Sequence, residues 1–557
     1  MRHERTMVVV IGAALVLPAL GAGCIGPEST ENDDQPGLDT GTTSSALSAF
    51  EPVWLLGGQN FSNTRYQPNE RLISPRSIAQ LTTQFSFQAQ SSISATPAVD
   101  DRFVFFPDFA GFLFKLDRKT GAQVWSHHIS EYTGVPASWS RASPAVTSRL
   151  VIVGDQEGKG AHVIAVDAKL GTLSWMTTID PNPLAIVTQS PLVYGGRVYV
   201  GTSSREEAAA LDPNYPCCTF RGSVSALDEK TGRILWTTYL VPDNQGQPRR
   251  YSGNAVWGST PAIDPQRGTL YITTGQNYSV PSEVADCVRQ RPGDLSCTAA
   301  DNYVDAIVAL DVRTGAIKWG TRLQGPDTWT RACFPTHLDW CPDPAGPDYD
   351  FASGPNLFSA KIGRHPRDLV GAGQKSGVYW ALDADQGDVV WHTQVGPGGP
   401  VGGIQWGSAT DGRRIYVAIA NILQLPHTLP SGEINHGGSF AALSVNDGSV
   451  LWQTADPGGY PDMGAVSVAN DVMFGCSLAP TAANQHALDA RTGQILWSFA
   501  AGASCNAGAA IANGTVYWGS GYTRLGLGTP GNMLRAFTVP RRDRHDFDDN
   551  HNRGGDE

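Results

Sequence analysis

The stretch ALDEKTGRILW, Ala226 to Trp236, decides the fold, because it returns six more times along the chain. The other copies are KLDRKTGAQVW ending at Trp125, AVDAKLGTLSW at Trp175, ALDVRTGAIKW at Trp319, ALDADQGDVVW at Trp391, ALSVNDGSVLW at Trp452 and ALDARTGQILW at Trp497. Self-similar copies mark a repeat architecture in which each copy belongs to one supersecondary unit. The shared pattern is Ala-x-Asp-x-x-x-Gly-x-x-x-Trp. An alternating apolar run enters a tight turn, where Asp bonds back to the backbone and Gly takes a positive φ, and a second run ends in Trp. That is a β-hairpin carrying an indole at its far end. A large aromatic at the same point of every unit can staple one sheet to the next, so the predicted fold is an all-β propeller with tryptophan-docking motifs.

Spreading roughly 490 residues over eight four-stranded blades gives about 60 per blade, more than compact propeller repeats need, so the surplus belongs in loops. Eight blades are expected, with seven as the alternative count. The segment MLRAFTVP, Met533 to Pro540, reads as a degenerate hairpin strand. Paired with a strand near Val53 to Leu56, it would complete a last blade and close the ring, removing exposed sheet edges.

The net charge of −12 and the absence of a basic patch exclude a nucleic-acid surface. Charged residues make up 17% of the chain, beside 62 Gly and 37 Pro, which fits a turn-rich β protein. Arg2 and Arg5 precede an apolar stretch from Met7 to Leu20, too short for a membrane span and of the secretory-signal type. Leu20-Gly21-Ala22-Gly23-Cys24 resembles a bacterial lipoprotein cleavage site, which would make Cys24 the lipid-anchored first residue; ordinary cleavage nearby is the alternative. The expected organisation is a leader over 1–24, a flexible polar linker over 25–48, the propeller over 49–540 and a disordered mixed-charge tail over 541–557. The chain is therefore expected to be exported, either periplasmic or anchored to the outer membrane. The eight cysteines besides Cys24 suit disulfides in that setting. Proximity suggests Cys287 with Cys297, Cys333 with Cys341, Cys476 with Cys505, and the adjacent Cys217 with Cys218. No Cys-x-x-Cys-His occurs for covalent haem, no zinc-spaced cluster and no Gly-x-Ser-x-Gly elbow.

Between the tryptophan motifs run segments whose polar residues break strand alternation, the places where a propeller carries function. They include WSRASPAV (Trp139 to Val146), TQSPLVYGGRVYVGTSSREE (Thr188 to Glu207), NAVWGSTPAIDP (Asn254 to Pro265), TTGQNYSVP (Thr273 to Pro281), DYDFASGPNLF (Asp348 to Phe358), GAGQKSGVYWALD (Gly371 to Asp383) and GGIQWGSATDG (Gly402 to Gly412). With YPCCTFRGS, these phrases make the chain, from about Trp54 to Pro540, similar to the quinoprotein alcohol dehydrogenases. Among these it most resembles the polyvinyl-alcohol dehydrogenases.

The resemblance implies an axial site for pyrroloquinoline quinone (PQQ) and calcium. It places Trp257 under the planar quinone, Arg141, Thr188 and Ser203 at its carboxylates, and Trp406 among the cofactor-binding residues. Lys375 falls at the quinone oxygens and Asp350 at the catalytic base. Glu206 matches the carboxylate ligand of calcium, with Glu207 as second choice, and Asp350 shares the ion. Gln276 stands where the family has Asn, and Asn277 is its alternative. These residue types suit the chemistry. A flat tricarboxylate needs an apolar platform, fixed cations and hydroxyl donors, and a hard cation takes oxygen ligands. The resemblance implies oxidation of secondary alcohols, polyvinyl alcohol among them, with electrons passed to a separate acceptor such as a cytochrome c. The competing reading is a non-catalytic propeller lipoprotein that scaffolds protein partners, which would lack the axial set of Arg141, Glu206, Trp257, Asp350 and Lys375.

Overall fold

A computed structural model describes residues 53–540 apart from 158 and 335–336. The expected leader, linker and charged tail lie outside the described residues. Eight antiparallel four-stranded blades follow one another around a ring, one of them widened to five strands by Tyr66–Gln67, which pairs in parallel with Ser467–Ala469. Blade one runs Ala98–Val99, Phe103–Pro107, Phe112–Asp117 and Gln123–His128. Blade three runs Leu192–Tyr194, Arg197–Gly201, Ser223–Asp228 and Ile234–Tyr239, and blade five Asn356–Ile362, His365–Gly373, Val378–Asp383 and Val389–Gln394. The first strand of a blade is largely buried and the fourth partly exposed, so each sheet runs outward from the axis.

The repeated motif works as a latch between neighbours. In ALDEKTGRILW, Asp228 Oδ1 accepts from the backbone N–H of Lys230 and Thr231 and from the Thr231 hydroxyl, fixing the turn. Gly232 sits at φ +71° with its Cα against the Trp175 ring of the preceding blade, where a Cβ would come within 2.5 Å of Cε3. Trp175 Nε1 donates to Glu229 O at 2.8 Å, and Thr177 Oγ1 donates to Gly232 O at 2.7 Å. The same indole-to-turn bond joins Trp236 to Val312, Trp319 to Ala384, Trp391 to Val445 and Trp452 to Ala490. Glycine is thus required twice over, by its dihedral and by the ring beside it. Trp497, with no motif after it, packs edge-on against Phe537 instead.

Ring closure corrects one expectation. The last blade is Ala510–Ala512, Thr515–Gly519, Met533–Thr538 and, from the other end of the chain, Thr82–Gln88. Met533–Thr538 is the expected strand, but its partner is not Val53 to Leu56. That apolar run starts a belt around the axis that touches every blade. Trp54 pairs with Val99, Leu55 O accepts from Val146 N, and the Phe61 ring meets Tyr194 edge-on. The carbonyls of Phe61, Ser62, Thr64 and Arg65 accept from Ile263, Leu357, Thr410 and Val468, and Gln67 Nε2 donates to Ile511 O. All four expected cysteine pairs are joined.

Candidate active site

In a four-stranded antiparallel meander the second-to-third and fourth-to-first connections emerge at the same end of the sheet. Every candidate residue lies in such a connection. Arg141, Thr188, Trp257, Asp350 and Trp406 occupy links between blades, while Ser203, Glu206, Glu207, Gln276 and Lys375 occupy turns within blades three, four and five. Topology alone therefore brings residues more than 200 positions apart to one face.

At its centre Lys375 Nζ lies 2.6 Å from Asp350 Oδ1 and 3.0 Å from Asp348 Oδ1, all three nearly buried. Trp257 Nε1 donates to Asp350 Oδ2 at 2.5 Å, and Lys375 Nζ stands 5.4 Å from the centroid of the Trp257 ring. Gly275 makes room for this group, since a Cβ there would sit 3.0 Å from that of Asp350. Burial lowers the Lys375 pKa, but Asp348, Asp350 and Glu207 outweigh it and hold the ammonium above its ordinary value. Burial lifts Asp348 well above the usual carboxylate range, against the pull of Lys375. The surrounding cleft is lined by Arg141, Thr188, Ser203, Glu207, Trp257, Asp350, Lys375 and Trp406. Trp257 and Trp406 meet edge-to-face at 5.3 Å, and the Arg141 guanidinium lies 4.0 Å over the Trp406 ring.

Glu206, the first choice for the cation, is absent from that lining. Its carboxylate is fully buried and spoken for, accepting from Tyr215 Oη at 2.7 Å, Thr219 N at 2.8 Å, Thr219 Oγ1 at 2.9 Å and Phe220 N at 2.6 Å. It anchors the loop that carries Cys217–Cys218, and those cysteines pack in the core rather than in the cleft lining. The next residue on the same helical turn, Glu207, faces the cleft. Burial pushes its carboxyl up to about 7, against the fields of Lys375 and Arg331.

Gln276 is buried with its amide beside the Glu207 carboxylate. Asn277 is not available as a substitute, because its side chain is bonded to Asn254, Asn302 and Ser252 O. Asp348, Arg331, Tyr278 and Tyr522 also line the cleft and were not singled out from sequence. Asp348 carried no such signal: it stands two residues before Asp350, but it reaches the same lysine from a left-handed backbone (φ +60°) that spacing does not announce.

These donors fit the group that the resemblance implies. Glu207 and Asp350 bring carboxylates to the cleft and Gln276 an amide beside Glu207, oxygen donors of the kind a hard cation takes, while Trp257 offers a flat face and Arg141 and Thr188 offer donors. Among the described residues no three His, Cys, Asp or Glu side chains lie close enough to hold a metal by themselves, so such an ion would also need the amide and the cofactor's own oxygens.

An eight-bladed ring with a polar, tryptophan-lined cleft at one end of its axis is the architecture of a propeller dehydrogenase. Residues 54–402 match the family described as PQQ, glucose/ethanol/alcohol dehydrogenase, beta-propeller domain, and the chain belongs to that family. It is 29% identical over 528 residues to a polyvinylalcohol dehydrogenase of a Pseudomonas species, spanning 87% of this chain and 77% of that protein. It is likewise 29% identical to the polyvinylalcohol dehydrogenase of a Sphingopyxis species, over 86% of this chain and 75% of the relative. Its fold is shared by quinohemoprotein alcohol dehydrogenase from Comamonas testosteroni, with a TM-score of 0.67 at 19% identity over 88% of this chain and 81% of that one.

Proposed function

We propose that this PQQ-dependent dehydrogenase oxidises secondary alcohols, polyvinyl alcohol among them, with the aid of calcium, and passes the electrons to an external acceptor such as a cytochrome c. The observation that carries the reading is the convergence of Asp350, Lys375, Glu207 and Trp257 in one cleft. The substrate side rests on the two polyvinylalcohol dehydrogenases among the relatives.

When bound, the quinone supplies a hydride acceptor and the calcium a Lewis acid. The remaining work falls to the chain. Trp257 offers the platform, Arg141, Thr188 and Ser203 hold carboxylates, and Glu207 with Gln276 and Asp350 holds the cation. Asp350 takes the alcohol proton. Trp257 Nε1 and Lys375 Nζ each touch one of its oxygens, which fixes the orientation of the carboxylate. Lys375 also keeps a positive charge beside the Trp257 face, where negative charge would develop on reduction.

Alcohol-dependent reduction of an artificial dye by the purified chain supplied with PQQ and calcium tests the reading. Activity that is lost in Asp350→Asn, with PQQ binding retained, is the expected result. An inactive wild type that binds neither additive would return the chain to the scaffold reading.

A further inference from the structure

Behind the cleft a second, much smaller space continues down the propeller axis toward the belt. Its wall shares Arg141, Thr188 and Trp406 with the cleft and ends on Arg65. No carboxylate lines it, although the chain as a whole carries a net charge of −12.

Arg65 is 2% exposed. Its guanidinium donates to Val466 O at 2.7 Å, Gly57 O at 2.6 Å, Thr96 Oγ1 at 3.0 Å and Ser467 Oγ at 3.2 Å. All four acceptors are neutral, and among the described residues no acidic side chain pairs with it. Its place is built for it: a Cβ on Gly508 would come 2.1 Å from Nη2 and one on Gly407 3.1 Å from Cδ. Arg141, at the other end, makes a 3.5 Å contact to the Tyr522 hydroxyl and lies over the Trp406 and Tyr522 rings, and among the described residues no acidic side chain pairs with it. A cation kept from water without a counter-charge is costly, so the buried Arg65 and the partly buried Arg141 facing one cavity call for an anion between them. Two further donors have nothing to donate to. Thr260 Oγ1, on a residue 1% exposed, and Trp406 Nε1 are buried without hydrogen-bond partners.

We propose that the axial chamber between Arg65 and Arg141 is an anion site for a carboxylate-sized oxyanion, with Thr260 and Trp406 as its neutral donors. Two sources share that chemistry: a carboxylate of the bound quinone reaching down from the cleft, and a free small anion beneath it. The first source rests on the cofactor reading given above; the site itself does not.

Formate, the smallest carboxylate, is titrated by calorimetry into the full chain freed of cofactor, in a buffer without other small anions. Saturable binding is expected, and Thr260→Val, which swaps a hydroxyl for a methyl, should weaken it about tenfold, as loss of one hydrogen bond to a charged group does. The unfolding midpoint without formate should stay that of the wild type. Arg65→Gln should abolish binding where that variant folds, and Thr260→Val decides the matter where it does not. Saturation with PQQ separates the sources: formate excluded by PQQ identifies the quinone carboxylate as the occupant, and formate still bound identifies a free anion. Absence of saturable formate binding, or equal binding by wild type and Thr260→Val, overturns the proposal. A chain that binds formate but never binds PQQ would sink the cofactor reading and leave this one standing.

Discussion

Glu206 and Glu207 are neighbours of the same chemistry, and exchanging each for glutamine separates their roles. Gln at 206 can place its oxygen where Oε2 accepts from Thr219 N and Phe220 N, and turn its amide nitrogen toward the Tyr215 and Thr219 hydroxyls, both able to accept. Glu206→Gln should therefore cost only about 1 kcal/mol, the worth of one ordinary hydrogen bond, and leave calcium affinity intact. Glu206→Ala is different. It strands the backbone N–H groups of Thr219 and Phe220, at about 1–3 kcal/mol each or roughly 2–6 kcal/mol for the pair, besides two hydroxyls that can turn elsewhere. Glu207→Gln should behave in the opposite way. It removes a carboxyl that burial already disfavours in ionised form, so the cofactor-free fold should be no weaker at neutral pH. Calcium affinity should fall by at least about 100-fold, the upper range for losing a mere supporting residue of a metal site. Urea unfolding of the cofactor-free protein and calcium titration at fixed PQQ read the two effects independently. Calcium binding lost in Glu206→Gln and kept in Glu207→Gln would refute the assignment and restore the residue that the resemblance first suggested.

Gly232→Ala should destabilise the ring by about 2–5 kcal/mol, combining a left-handed backbone with overpacking against Trp175, and should show as a lowered urea midpoint. The pH response is expected from Asp305, which is fully buried next to Asp327; burial first, then the Asp327 charge, raises its pKa well above the carboxylate range. A raised folded-state pKa means that the unfolded chain ionises first, so stability falls as pH climbs from the ordinary aspartate value toward the folded one. Asp305→Asn removes that slope: relative to wild type it should gain up to about 1.4 kcal/mol per pH unit through this window, read as the difference between urea midpoints at pH 5 and pH 8. An unchanged difference between the two pH values would mean that Asp305 is ionised in the fold.

The ring was legible because the latch is written out in full. Asp fixes the turn, Gly admits the neighbouring ring, and Trp reaches the next turn, so each copy reports both its hairpin and the contact to the following blade. Closure was less legible. Val53 to Leu56 looks like a strand because it is apolar, but it is apolar from lying against the inner strands, whereas Thr82–Gln88, the actual partner, exposes most of its residues. At the site the residue types were readable from phrases such as NAVWG and GAGQKSG, since topology sends those connections to one end. Orientation was not readable. Consecutive residues on one helical turn point about 100° apart, and nothing within GTSSREE says which glutamate turns inward. The answer lies 13 residues later, in the N–H groups of Thr219 and Phe220 that claim Glu206. Asn277 likewise looks like a free amide until the network with Asn254 and Asn302 is seen.

The central claim is that one cleft grips a flat tricarboxylate and a divalent ion together. Calorimetric titration of PQQ into the cofactor-free chain, with calcium and then with a chelator, measures this directly. The account predicts one PQQ per chain, bound tightly with calcium and much more weakly without it. PQQ binding that is indifferent to calcium, or that survives Trp257→Ala and Glu207→Gln unchanged, would contradict it.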